Sequence, residues 1–167
     1  MGKRILTFFL TVTFITVAGL TAVLVSAPST LALDYNKETL INVDLSGQDL
    51  RDASFTKANM RGSNLSHVNA RGVSFFGANL ESANLEGADL REATLDTARF
   101  TKANLKNAIL EGAFAFNAKF DGSNIEGADF TDVMLREDTQ KMLCKIAKGT
   151  NPVTGRSTRA TLMCDEL

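Results

Sequence analysis

Cys144, Cys164 and His67 are the only thiol and imidazole side chains in this 167-residue chain, and they bound the chemistry it can carry. One imidazole excludes the common zinc-enzyme sites, which take two or three, and two thiols cannot form a four-thiolate site. The cysteines lie 20 residues apart with no C-x-x-C spacing. In an exported chain an even cysteine count reads as a disulfide. Such a bridge closes a loop worth about 3 kcal/mol. The alternative is a thiol-redox pair acting through Cys144 and Cys164. His67 follows Ser66, but one histidine among scattered acids gives no nucleophile–base–acid set. The 19 carboxylates form many chance pairs and none is marked for acid/base work. Neither G-x-x-x-x-G-K-[ST] nor G-x-G-x-x-G occurs. We therefore expect no catalytic residue, no cofactor and no metal: this is not an enzyme.

Charge narrows the partners. Eighteen basic residues against 19 acidic give −1. Nucleic-acid binding wants a basic face, so none is expected. Lys3 and Arg4 precede an uncharged run from Ile5 to Val25, then Pro28 and small residues up to Ala32. That layout predicts a signal peptide over 1–32, cut after Ala32. The run is also long enough to span a bilayer, so an uncleaved anchor is the alternative and the only membrane contact expected. Either way the remaining chain is exported.

The elements that must position these side chains come from one pattern. From Leu40 to Leu135 every fifth residue is apolar: 18 of these 20 positions are large, and only Ala70 and Ala115 are small. Two residues earlier, 12 of 20 positions are Ala, with Ser63, Ser123 and four valines; Glu38 and Gln48 are the exceptions. Period five fits neither standard element. Five steps on a helix leave the leucines spiralling, and an odd step on a strand alternates faces. One core then requires the backbone to turn once per pentad, giving an all-β solenoid. Glycines recur at one pentad position (among them Gly47, Gly62, Gly87, Gly127), as corners would ask.

The units Ala78-Asn79-Leu80, Ala83-Asn84-Leu85, Ala88-Asp89-Leu90 and Ala103-Asn104-Leu105 resemble the pentapeptide-repeat family. The resemblance implies a right-handed quadrilateral β-helix with four pentads per coil, and hence about five coils. Some members of that family mimic duplex DNA. Residues 34–137 carry 11 basic and 16 acidic side chains, only −5, and an exported chain does not meet cytosolic DNA enzymes. The tail from Leu143-Cys144-Lys145 through Asn151-Pro152-Val153-Thr154-Gly155 to Cys164 is similar to exported cyanobacterial and chloroplast-lumenal members. That implies the thylakoid lumen or the periplasm.

Four pentads per coil stack residues 20 apart. Asp44, Asn64, Asn84, Asn104 and Asn124 then form an amide ladder. Arg51, Arg71 and Arg91 form a charged ladder, which Asp49, Asp52, Asp89 and Glu92 can neutralise; the alternative is contact with an anion or an acidic partner. Phe76, Phe114 and Phe116 fall at outward positions with Met134 one coil above Phe114, and Ile109 is expected outward on the adjacent pentad. Such a patch is covered either by the chain's own C-terminal segment or by another protein; a local bulge could instead turn Phe114 or Phe116 inward beside Ala115. The expected domains are the signal peptide or anchor (1–32), the β-helix (33–137) and a helical C-terminal cap with the disulfide (138–167). The cap helix is expected from Asp138 to about Lys148, with Met142, Leu143, Ile146 and Ala147 on its apolar side and Gly149 as its stop. Function is then that of a non-catalytic interaction or scaffold protein with an unidentified protein partner, present as a monomer or weak dimer.

Overall fold

The structure, a computed structural model, describes residues 33–166. The expected signal peptide or anchor at 1–32 lies outside the described residues.

Pentads in the middle of the stack repeat the same two moves. The N–H of its central residue donates to a carbonyl of the next coil: Leu65 N reaches Asn84 O at 2.6 Å and Leu85 N reaches Asn104 O at 2.7 Å. The preceding residue donates to the coil before it: Asn64 N to Val43 O and Asn84 N to Ser63 O, both 2.9 Å. The outcome is a run of parallel bridges between residues 20 apart, from Thr39 with Asn59 to Phe114 with Met134. Bridges recur every five residues and return to register after 20, so each circuit has four faces. The chain turns immediately after each bridge. Only β1 (Leu33–Asp34) and β2 (Ala53–Ser54) extend to two residues, paired in parallel.

The turn is a property of the position, not of glycine. The second residue after the centre takes φ of +67° at Gly62 and +64° at Gly87, but also +56° at His67 and +58° at Lys102. Glycine also leaves room for a neighbour: a Cβ on Gly87 would sit 2.6 Å from His67 Nδ1, and the exposed imidazole would have to move aside.

The core is the pentad centres plus the small position two residues earlier. Every central residue from Leu50 to Phe130 is at most 2% exposed. The small position has no room for more than Ala, Ser or Val. Ser63 and Ser123 fit because each hydroxyl donates to the carbonyl three residues back, at 2.6 and 2.8 Å. Aromatic rings stack between coils: Tyr35 on Phe55 and Phe55 on Phe75, with centroids 5.1 and 5.2 Å apart, and Phe100 on Phe120 at 5.2 Å. The two small centres, Ala70 and Ala115, each precede a Phe centre, Phe75 and Phe120, so volume within the coil is kept.

The two ends differ. Glu38 and Gln48, at the small position that faces the core in later coils, are exposed, because among the described residues no coil lies beneath 33–52. Leu40 and Leu45 are correspondingly only half-buried. At the other end α1 spans Glu137–Cys144 rather than 138–148. Asp138 does not cap it; its carboxylate accepts from Thr139 N and pairs with Arg136, both at 2.8 Å. The helix stops early because Lys148 is engaged elsewhere. Its carbonyl accepts from Gly127 N at 2.9 Å, as a further coil would, and its ammonium pairs with Glu126 at 3.0 Å. Ile146 is thereby left exposed, while Leu143 and Ala147 are buried. Gly149 is not a helix stop; at φ +83° it packs on the Gly127 backbone, whose N would be 2.9 Å from an added Cβ. The chain then forms α2 (Thr158–Thr161) and a single 3-10 turn (Cys164–Glu166). Phe130 N donates to Thr161 Oγ1 at 3.1 Å, and Gln140 Nε2 to Leu162 O at 2.7 Å. A Cys144–Cys164 disulfide ties α1 to the last turn. Among the described residues no helix is long and apolar enough to cross a membrane.

Candidate interaction surface

Outward positions of a pentad are free of core constraint, so an apolar residue there is not required by the fold. Phe76, Phe114, Phe116 and Met134 are 37, 40, 45 and 57% exposed. They share one face: Phe114 and Phe116 flank Ala115, Phe76 lies two coils below Phe116, and Phe114 bridges directly to Met134. Neither phenylalanine turns inward beside Ala115. Between Phe76 and Phe116 sits Asp96, whose carboxylate accepts from Asn117 N at 2.8 Å and Asn117 Nδ2 at 3.1 Å. At its C-terminal end the strip opens into a groove of about 540 Å³ lined by Phe116, Met134, Leu135, Leu162 and Met163.

The C-terminal segment covers a different face. Asn151 is fully buried; its Nδ2 donates to Asn107 O at 3.0 Å and Gly127 O at 2.9 Å, and its Oδ1 accepts from Val153 N and Thr154 N at 2.9 and 3.1 Å. Arg156 reaches Glu111 at 2.9 Å, Thr131 Oγ1 at 2.6 Å and buried Asp129 at 3.3 Å. Burial alone would raise Asp129, but hydrogen bonds from Thr131, a bond from Thr154 and the charge of Arg156 hold it below the ordinary carboxylate value. Ile109 lies within this clasped region and is 5% exposed, so it is not part of the outward strip.

The charged ladder is internally neutralised. Arg51 pairs with Asp49 at 2.6 Å, Arg71 with Glu92 of the next coil at 2.9 Å, and Arg91 with Asp89. Hydrogen bonds from Arg51 lower Asp49. At Asp89 burial opposes, yet the Arg91 bond prevails and the carboxyl is lowered. Such pairs on an exposed face contribute about 0–1 kcal/mol each. The amide ladder forms as read: Asn64, Asn84, Asn104 and Asn124 each donate Nδ2 one coil down, at 3.0 to 3.2 Å. His67 is exposed and lies over Gly87. Among the described residues no group of three His, Cys, Asp or Glu is placed to hold a metal ion.

Pairs of cations without partners were not singled out from the sequence. Arg99 bridges to Lys119 one coil above, both exposed, and neither has a carboxylate within ion-pair distance among the described residues. Lys57 is likewise unpaired, its stem crossing Gly77. The signal was available: two like charges 20 residues apart in a chain whose coil is 20 residues long.

A pentapeptide-repeat profile matches residues 40–75, 74–112 and 98–136 in eight copies. The chain is 46% identical to a solved pentapeptide repeat protein from the Arabidopsis thaliana thylakoid lumen, with 80% of this chain and 86% of that one covered at a TM-score of 0.57. A pentapeptide repeat protein from Nostoc is 29% identical over 62% of this chain and 84% of that one, with a TM-score of 0.53. Among curated proteins, a stretch of 36 residues is 56% identical to thylakoid lumenal 15 kDa protein 1 of Arabidopsis thaliana, 22% of this chain and 16% of that protein. The chain belongs to the pentapeptide-repeat family, and its fold is the family's right-handed quadrilateral β-helix.

Proposed function

We propose that this pentapeptide-repeat chain is a non-catalytic, exported interaction module that docks a protein partner on its Phe76–Phe114–Phe116–Met134 face. The stack counts as five coils closed at one end by α1, α2 and the disulfide. One observation carries the proposal: among the described residues the aromatic face is uncovered although the C-terminal segment is able to cover a face, and that segment lies over Asn107–Asp129 instead. Exposed contiguous apolar surface marks an interaction site. A rigid, ladder-bonded face also meets a partner with little ordering cost. The lumenal origin of the Arabidopsis relatives supports the thylakoid lumen as the address, with the periplasm as the bacterial counterpart. Oligomerisation beyond a weak dimer is not needed. The test is Phe76→Ser with Phe116→Ser, followed by crosslinking mass spectrometry in the native compartment. We expect unchanged folding and loss of crosslinks to the strip; an unchanged crosslink map would refute the proposal.

A further inference from the structure

We propose that the occupant of this strip is an acidic amphipathic helix lying parallel to the long axis of the stack. The proposal rests on the interaction-module reading and adds the partner's chemistry and shape. Shape follows from spacing. Phe76 and Phe116 occupy one column two coils apart, so at the spacing of paired strands they are about 9.6 Å apart. On a helix, residues i and i+7 share a face and are separated by about 10.5 Å. An extended strand fits badly: three residues cover about 10 Å but put the side chains on opposite faces. Residues i+3 or i+4 of such a helix would lie over Asp96, the polar gap in the strip, and the helix end would enter the groove beside Met134 and Met163.

Charge follows from what is unpaired. One corner separates the column Phe76–Asp96–Phe116 from the column Asn79–Arg99–Lys119. Arg99 and Lys119 are bridged neighbours of like charge, and neither has a carboxylate within ion-pair distance among the described residues, whereas Arg51, Arg71 and Arg91 are all satisfied. Lys57 lies on the same corner, below Gly77. Stacked like charges repel, and their long side chains can reach round a corner while keeping their heads exposed. A carboxylate-bearing flank on the helix would relieve that repulsion and fix which way round the helix lies.

The test is selection of random 18-residue peptides on the full chain. Expected winners are net negative, carry apolar residues at i and i+7 with a polar residue at i+3 or i+4 over Asp96, and turn helical on binding. They should bind at least tenfold more weakly to Arg99→Glu with Lys119→Glu, and to Phe76→Ser with Phe116→Ser, both variants melting as the parent does because all four residues are exposed. Basic or alternating extended winners that still need Phe76 and Phe116 would overturn the acidic helix and leave the interaction module standing. Failure to enrich any strip-dependent peptide overturns the helix, and the crosslink map then judges the module separately. Sedimentation with anionic lipid vesicles that is lost in the Phe76→Ser, Phe116→Ser variant would overturn it in favour of a membrane surface.

Discussion

Asn151 offers the sharpest perturbation of the C-terminal clasp. Its amide makes four close bonds, two to carbonyls of the stack (Asn107 and Gly127) and two from its own turn (Val153 and Thr154). Each such bond is worth about 1 kcal/mol net, and leaving a buried partner unsatisfied costs about 1–3 kcal/mol. Asn151→Ala is therefore expected to destabilise docking of the segment by about 3–4 kcal/mol. Asn151→Asp is the discriminating variant. It retains the acceptor for Val153 N and Thr154 N, so a merely local turn would tolerate it. Facing two carbonyl oxygens, however, its carboxylate replaces a donor with a charge, and burial of an unpaired charge is costly. The expected order of stability is parent, then Ala, then Asp. Hydrogen exchange read by mass spectrometry should show faster exchange over 145–166 with the amides of Leu65 to Leu105 unaffected, because each coil contacts mainly its neighbours. Equal protection of 145–166 in parent and Asn151→Asp would refute the reasoning.

Removing the bridge by Cys144→Ser with Cys164→Ser should cost about 3 kcal/mol through the loop it closes, seen as lost protection in α1 and α2; if reduction instead leaves stability intact and changes partner binding, the thiols act as a redox pair. Leu90→Ala, at a fully buried centre, should cost about 3–5 kcal/mol, whereas Leu40→Ala at the half-buried open end should cost about half of that or less; equal losses by chemical denaturation would contradict the open N-terminal coil. Acid should loosen the clasp. Asp129 is lowered in the folded state, so its contribution is complete above the unfolded value of about 3.9 and disappears as pH falls through the lower folded value. Asp129→Asn should flatten the loss of stability seen below about pH 4 in thermal melts, and an unchanged acid limb would exclude Asp129 as its source.

The core was legible because period five leaves the backbone one way to gather its leucines. Leu50 to Phe130 are buried in register, and so are the small positions from Ala53 to Ala128. The ends were legible in outline, an irregular first coil and a helical, disulfide-tied cap, but not in detail, and for one physical reason: periodicity states which way a side chain points, not whether anything lies beyond it. Glu38 and Gln48 point inward by pattern and reach solvent because no coil lies below them among the described residues. Ile109 points outward by pattern and is buried because residues 149–156 pass over its face. The cap helix was overestimated for a related reason. Helical periodicity runs on to Ala147, but Lys148 supplies the carbonyl that Gly127 N lacks, and a backbone donor at a stack end outweighs another half-turn of helix.

The same physics explains why function had to be sought on the surface. Left-handed φ values occur at His67, Lys102 and Asn107 as readily as at Gly62, and backbone bonds between coils involve no side chain. A pentad thus fixes two residues of five and leaves three free. On such a scaffold an outward Asn or Asp is explained by the turn it caps: Asn84 accepts from Glu86 N and Asp89 from Arg91 N. An outward Phe caps nothing and bonds nothing, and a like-charged pair such as Arg99 and Lys119 costs stability. Residues that the fold neither needs nor prefers are where a role on the surface is to be sought. Phe76, Phe116, Arg99 and Lys119 are such residues, on adjoining columns of one corner.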